Sequence, residues 1–211
     1  MTLHLGNDIV DLTDPFTVGK AGDARFVRRV FATSEQGWIA ASPDPDRALW
    51  RLWAAKEAAY KVARKSAPGL IFAHAQFEVL PDESRVVCGK ASFPVQWDEQ
   101  PGWIHCLAVS SSSPPSLALC RCRVDELAPG QEPSEAVRGL ATRLLAEAGW
   151  AAATIVRPSG QGGARPGAPE VWQAGGRLAH LDLSLSHDGR WVAVAWMDLN
   201  NLAISQDVRI D

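Results

Sequence analysis

The chain has 211 residues, of which 46% are hydrophobic, so it can bury a core as one large domain or as two domains of about 100 residues each. Its formal net charge of -3 gives no general basic field, which argues against binding to duplex nucleic acid. No stretch approaches about 18 uninterrupted apolar residues, and the N-terminus has no basic region before a long apolar run, so we expect a cytoplasmic protein without membrane attachment.

The first half of the chain combines strands with two helical segments. Hydrophobic periodicity predicts helical segments at 24–41 and 46–65, and the strands are predicted at 3–10, 72–80, 85–95 and 103–110.

The second half, after Pro114 and Pro115, has a similar plan. A helix is predicted at 134–148, where Ser134 is a good N-cap, and the glycines and prolines of 158–169 predict a loop. The predicted strands are 117–124, 153–157, 179–186 and 191–197.

Two segments of the sequence resemble each other. Residues 104–120 align with 179–195, each as a strand, a turn and a strand, with Ser111 at the first turn and His187 at the second. The likeness predicts a tandem duplication, and coincidence between two apolar hairpins is the alternative. We therefore predict an α+β protein with pseudo-equivalent halves at 1–113 and 114–211, each with a small antiparallel sheet and a long helix.

The helix at 46–65 carries one shielded carboxylate. At about 100° per residue, Glu57 falls on a stripe opposite the small aliphatic residues, between aromatic residues and one turn before Lys61. A solvent-exposed ion pair is the alternative. The polar stripe is Trp50, Trp53, Glu57, Tyr60, Lys61 and Arg64, and the core stripe is Ala48, Leu52, Ala55, Ala59 and Val62.

A second carboxylate follows the first strand. In LGNDIVDL, Gly6 lets the backbone turn and Asp8 emerges at the end of the strand, either for function or to cap the following turn. If Asp8 and Glu57 meet in space, with open positions for water and phosphate oxygens, they suit Mg²⁺. Lys61 then faces the same phosphates as a point charge.

A third element is a predicted hairpin with its turn at Asp188-Gly189. His187 lies at the tip of this hairpin after Ser186, where it is accessible to a ligand, and simple solvation of the histidine is the alternative.

The four cysteines have neither metal-ligand spacing nor the density of a disulfide scaffold, and we interpret them as buried or idle thiols of a reducing compartment. A small metal site is the alternative, and its ligands would be His105, Cys106, Cys120 and Cys122.

These elements, in this order, resemble the 4'-phosphopantetheinyl transferase superfamily. The family pattern is Gly-x-Asp, then Trp-x-x-Lys-Glu-Ala-x-x-Lys on a helix, then a Ser-His turn. It is matched by residues 6–8, 53–61 and 186–187. Residues 25–36 also resemble the Arg-Phe to Thr-x-x-Glu segment of holo-acyl-carrier-protein synthases, while the second half is similar to the N-terminal half of the larger, surfactin-synthetase-activating type. The resemblance implies the family fold in a permuted or fused order, with the active site at the junction of the halves.

The resemblance also implies an activity, namely transfer of 4'-phosphopantetheine from coenzyme A to a serine of an apo acyl or peptidyl carrier protein, with release of 3',5'-ADP. Asp8 and Glu57 would hold Mg²⁺, and Glu57 would help to deprotonate the serine. His187 and Lys61 would bind coenzyme A phosphates together with Ser186. A non-catalytic coenzyme A-binding module of the same fold is the alternative.

Two positions depart from the larger members of the family. Val10 stands where these often have a second acidic residue, and Gly167-Ala168-Pro169 stands for their Gly-Lys-Pro turn. Arg138 and Arg143 are the candidates to replace that lysine at the 3'-phosphate. For the carrier protein we predict a basic surface at Arg25, Arg28 and Arg29, and for the fused halves a monomer.

Overall fold

A five-stranded antiparallel sheet with a long helix across it forms from the first part of the chain in the computed structural model, which describes residues 3–110, 115–159 and 166–200. The strand order is β1-β5-β4-β3-β2. The strands are β1 (Leu5–Asp11), β2 (Glu78–Val79), β3 (Arg85–Cys88), β4 (Ala91–Gln100) and β5 (Trp103–Val109). The helices are α1 (Ala24–Val30), α2 (Thr33–Ala41) and α3 (Pro45–Ser66), with 3-10 turns at Lys20–Gly22 and His74–Gln76.

Helix α3 packs closely on β1 because small residues face the sheet. Ala54, Ala55, Ala58 and Ala59 are fully buried, and a Cβ atom at Gly6 would clash with the Ala58 carbonyl oxygen. Gly6 is therefore needed for the approach of α3 to a continuous strand, not for the predicted turn. The same packing places Asp8 in the middle of β1, where the sequence had predicted a strand end.

The rest of the chain forms two three-stranded antiparallel sheets, of order β10-β11-β6 and β7-β8-β9. Helix α5 covers β10 and β11 through Val137, Leu140 and Leu145, which are buried. The elements are α4 (Pro115–Ala118), β6 (Arg121–Glu126), α5 (Pro133–Glu147), β7 (Thr154–Val156), β8 (Glu170–Gln173), β9 (Gly176–Arg177), β10 (Leu181–Asp188) and β11 (Trp191–Asp198).

The five-stranded sheet and the β10-β11-β6 sheet meet where their edge strands β1 and β10 run side by side. The odd-numbered amides of β1 point away from β5 and donate to side chains of β10 instead of to a backbone ladder. The four bonds are Leu5 N to Asp182 Oδ2 (2.6 Å), Asn7 N to Ser184 Oγ (3.0 Å), Ile9 N to Ser186 Oγ (3.3 Å) and Asp11 N to Asp188 Oδ2 (2.8 Å). These bonds satisfy an edge that would otherwise expose unpaired amides.

Two lysines of α3, one turn apart, complete this junction. Lys61 Nζ donates to Asn7 O at 2.8 Å, and Lys65 Nζ donates to Leu5 O at 2.7 Å. Lys65 Nζ also lies 2.8 Å from Asp182 Oδ2 on β10. Two carbonyls of β1 are therefore hydrogen-bonded to the helix, and the helix is tied to both β1 and β10.

Several predicted elements differ from those observed. The segment at 24–41 is two helices, because Phe31 and Ala32 are extended and Ala32 N donates to Glu35 Oε2 (2.7 Å) at the start of α2. Most of the predicted strand 72–80 is a 3-10 turn and a loop, since the carbonyls of His74 and Phe77 accept hydrogen bonds from Lys56.

The second part of the chain also corrects the sequence analysis. The predicted strand 117–124 begins within α4, and its strand portion, β6, pairs with β11 and not with β5. Residues 104–120 therefore do not form a hairpin like that of β10 and β11, and Ser111 lies outside the described residues. Helix α5 begins one residue before Ser134, with Glu132 as its N-cap. The predicted loop 158–169 has no helix or strand at 158–159 and 166–169, and its residues 160–165 lie outside the described part.

Candidate active site

A cavity of about 480 Å³ lies between β1, α3 and the end of β10. Five residues predicted from the sequence line it together: Asp8, Glu57, Lys61, Ser186 and His187. They come from positions far apart in the chain, so the close packing of β1 on α3 and β10 is what assembles the site. The other lining residues include Asp14, Phe16, Thr17, Trp50, Trp53, Arg157 and Asp188.

Asp8 is held at one of its two carboxylate oxygens. Oδ1 lies 2.8 Å from Lys61 Nζ and 2.9 Å from Ser186 Oγ. Ser186 Oγ is in turn 3.2 Å from Lys61 Nζ, so the three side chains form a closed set of polar contacts. Lys61 and Ser186 thus contact Asp8 directly and link the five-stranded sheet to β10.

Glu57 lies in an aromatic setting, as the helical pattern predicted. The Trp53 ring stacks on the His74 ring at 4.7 Å, and His74 Nε2 lies 3.9 Å from Glu57 Oε1. Burial lowers the pKa of His74, and the positive charges of Lys56 and Arg29 lower it further, which favours a neutral ring. Tyr60 was expected on this polar stripe, but it is buried in the core and stacks on Phe72 at 4.3 Å.

Two aromatic side chains and a turn form one wall of the cavity. Trp50 Nε1 donates to Thr17 O at 2.8 Å, which fixes the segment after β1 against α3. Phe16 on the same segment is 88% exposed at the rim. The wall therefore combines a fixed segment with an exposed apolar side chain.

The cavity is also lined by two basic side chains, those of His187 and Arg157, together with the carboxylate of Asp188. His187 is exposed on β10, which continues through Asp188, so the turn is at Gly189–Arg190 and not at Asp188-Gly189. Gly189 has a φ of 48°, and a Cβ atom there would clash with the Asp11 carboxylate. Partial burial lowers the pKa of His187, and the charges of Lys61 and Arg157 lower it further.

Arg157 is a cavity residue that the sequence analysis missed. It follows β7, and its pKa is lowered by burial and by the nearby positive charges of Arg138 and Arg64. Arg138 itself does not line the cavity, and it donates to Ser134 Oγ at 3.0 Å. A single arginine after a short strand carries no pattern of its own, so only the fold could reveal it.

A buried ion pair between α2 and α3 was also missed. Lys56 Nζ lies 2.7 Å from Glu35 Oε2, and both side chains are fully buried. Glu35 Oε1 accepts from Val79 N at 2.9 Å, and Lys56 donates to the carbonyls of His74 and Phe77. The pair thus joins α2, α3 and the turn that carries His74. The sequence signal that could have indicated this pair was the position of Lys56 between the buried alanines of α3.

The cysteines give no support to a small metal site. Within residues 3–110, 115–159 and 166–200, no three metal-binding side chains of His, Cys, Asp or Glu come together. Burial raises the pKa of Cys106 and, together with the charges of Cys122 and Asp182, raises that of Cys120 to about 12, so both favour the thiol form. Cys122 is exposed, and Cys88 and Cys120 are partly buried.

The cavity is lined by four carboxylates and by the basic side chains of Lys61, Arg157 and His187. Such a mixture of carboxylates and cations can hold a metal ion together with an anionic ligand, and comparison with known families agrees. The family model described as the 4'-phosphopantetheinyl transferase superfamily matches residues 4–111. The chain belongs to this superfamily of transferases. No curated protein matches the chain at a significant level. In the part of the chain that the structure describes, no helix has both the length and the apolar character required to cross a membrane.

Proposed function

We propose that the protein transfers 4'-phosphopantetheine from coenzyme A to a serine of an apo acyl or peptidyl carrier protein, as a holo-acyl-carrier-protein synthase does. The observation that carries this proposal is the convergence of Asp8, Glu57, Lys61, Ser186 and His187 on one cavity. The superfamily match supports it independently, although it covers only residues 4–111 and so does not include the Ser186-His187 pair. The products would be the modified carrier protein and 3',5'-ADP.

The residues of the cavity fit a magnesium ion. Among the described residues, Asp8 Oδ2 accepts no hydrogen bond, whereas Oδ1 is held by Lys61 and Ser186. Asp8 Oδ2 and the Glu57 carboxylate are hard oxygen donors, which suit Mg²⁺ that shares its remaining positions with water and phosphate. Bound there, Mg²⁺ would reduce the negative charge of the pyrophosphate that a nucleophile must approach.

The other side chains of the cavity have roles that follow from their charge. Lys61 is a point charge beside Asp8, and that charge would attract a phosphate. Its three N–H donors already have acceptors, namely Asn7 O, Asp8 Oδ1 and Ser186 Oγ. Arg157 offers a further cation for coenzyme A phosphates, with Arg138 next to it, and His187 offers another when it takes up a proton. Glu57 is the candidate to accept the proton of the carrier serine as the oxygen attacks phosphorus.

The carrier protein would dock beside the cavity. Arg25, Arg28 and Arg29 are exposed on α1, and none of them forms an ion pair within the described residues. Exposed Phe16 on the cavity rim offers an apolar contact nearby. Such a basic surface complements the acidic helix of a carrier protein.

The junction of β1 with β10 supports the organisation inferred from the sequence. We propose one unit at 1–113 with Asp8 and Glu57, a second at 114–211 with His187, and a site between them. Because one chain supplies both sides of the cavity, we propose a monomer. The cytoplasmic location expected from the sequence is also part of the proposal.

Release of 3',5'-ADP tests the metal assignment. With an apo carrier protein, coenzyme A and Mg²⁺, the native protein should release 3',5'-ADP in an amount proportional to the amount of carrier protein. Asp8→Asn and Glu57→Gln should each reduce the rate by at least about a hundredfold, because each removes a charged metal ligand. Unchanged release by both variants would refute the assignment. Coenzyme A binding without any release by the native protein would instead favour the non-catalytic binding module.

A further inference from the structure

The hydroxyl of Ser186 is fully used inside the protein. Ser186 is 6% exposed, and its Oγ lies 3.3 Å from Ile9 N, 3.2 Å from Lys61 Nζ and 2.9 Å from Asp8 Oδ1. A hydroxyl can accept two hydrogen bonds and donate one. Since a backbone amide and an ammonium group can only donate, they take both acceptor positions, and the hydroxyl proton is left for Asp8 Oδ1.

This arrangement determines which oxygen of Asp8 is available. Oδ1 accepts from two donors, Ser186 and Lys61, that come from β10 and α3. Oδ2 has no such partner in the described part of the chain, and Asp8 lines the cavity. The carboxylate is therefore anchored by one oxygen and presents the other, which is the arrangement that a metal-binding carboxylate needs.

We propose that Ser186 is a positioning residue that orients the Asp8 carboxylate for the metal ion, and that it is not a direct contact for coenzyme A. The inference rests on the proposed function, because it takes Asp8 as a metal ligand. It makes the metal site depend on β10 as well as on β1 and α3. A hydrogen bond to a metal ligand typically changes metal affinity by about ten- to a hundredfold.

Ser184 provides a matched control two residues earlier on the same face of β10. It is 3% exposed, and its Oγ accepts from Asn7 N at 3.0 Å, as Ser186 Oγ accepts from Ile9 N. In the described residues it forms no hydrogen bond with Asp8 or Lys61. Loss of either hydroxyl removes one hydroxyl-amide bond between β10 and β1, but only the loss at Ser186 also removes a hydrogen bond to Asp8 Oδ1, which Lys61 alone then holds.

Binding of Mn²⁺, counted by the electron paramagnetic resonance signal of the free ion, tests the inference on the full chain with coenzyme A present. Ser186→Ala should weaken Mn²⁺ binding by about tenfold, and Ser184→Ala should change it by less than about twofold. Ser186→Thr keeps the hydroxyl and should restore binding. The melting temperature should fall in both alanine variants, and further in Ser186→Ala, which loses its bonds to Asp8 and Lys61 as well as its hydroxyl-amide bond. If Ser186→Ala does not fold, Ser186→Cys keeps the volume with a weaker donor and should also weaken Mn²⁺ binding.

The variant Asp8→Asn separates the two possible failures. If it loses Mn²⁺ while the Ser186 variants bind the ion as the native protein does, the positioning role is wrong and the metal site stands. Equal weakening by Ser184→Ala and Ser186→Ala would also overturn the role, because it would show a general effect of the junction. If Asp8→Asn binds Mn²⁺ normally, the metal site and the positioning role both fail.

Discussion

A buried histidine makes the stability of the protein depend on pH. His105 on β5 is 1% exposed, and its Nε2 lies 3.2 Å from Asn7 Nδ2. Burial lowers the pKa of His105 from 6.5 to about 4, with a further contribution from the charge of Lys61. In the unfolded chain the imidazole has its ordinary pKa near 6.5. Between these values the unfolded chain binds the extra proton, so the stabilisation is present above about pH 6.5 and is lost as the pH falls towards 4.

The size of the effect follows from the two pKa values. The difference corresponds to roughly 3 kcal/mol in total, of which about 2 kcal/mol is lost between pH 7 and pH 5. Urea unfolding of the native protein and of His105→Gln at both pH values isolates this contribution, because glutamine cannot take up the proton. We expect the native protein to lose about 2 kcal/mol more than the variant over this range. Equal losses, or an NMR titration that places the His105 pKa near 6.5, would refute the reasoning.

Three further predictions concern the buried Lys56–Glu35 pair, the basic surface on α1 and the protonation of His187. Lys56→Met should lower the free energy of unfolding by about 3–5 kcal/mol, because it leaves the Glu35 carboxylate buried without its cation. Lys20→Met removes the cation of an exposed pair, and calorimetry should show almost no change in its free energy of unfolding. Equal losses of unfolding free energy in Lys56→Met and Lys20→Met would contradict the claim. Arg28→Glu should raise the KM for carrier protein without changing coenzyme A affinity, and an unmoved KM would exclude this surface. Coenzyme A binding should take up a proton at His187, whose pKa is lowered in the free protein and would be raised by a phosphate. Titration calorimetry near pH 7 in two buffers should show this uptake in the native protein and not in His187→Gln, and equal uptake in both would contradict it.

The parts of the site that the sequence predicted are those carried by local patterns. Helix α3 was predicted at 46–65 and spans Pro45–Ser66, because its period of apolar residues is long and regular. The same pattern placed Trp53, Glu57 and Lys61 on the stripe that lines the cavity. Asp8 and His187 were also singled out from their local sequence, and the resemblance to the family connected them with α3.

The parts that the sequence missed depend on contacts between distant segments. Polar residues at alternate positions of a strand usually face solvent, yet those of β10 face the edge of β1. The resemblance to the family implied that Ser186 binds coenzyme A, and no pattern in the sequence indicated that its hydroxyl also contacts Asp8. Likewise, a lysine on a helix is normally exposed, and only the position of Glu35 explains why Lys56 is buried.

The intact mass of apo carrier proteins tests the central claim most directly. Several carriers would be incubated with this protein, coenzyme A and Mg²⁺, with Glu57→Ala run in parallel. The account predicts a gain of one phosphopantetheine on at least one carrier with the native protein and no gain with the variant. The same gain with Glu57→Ala, or no gain on any acyl or peptidyl carrier when coenzyme A is bound, would contradict it.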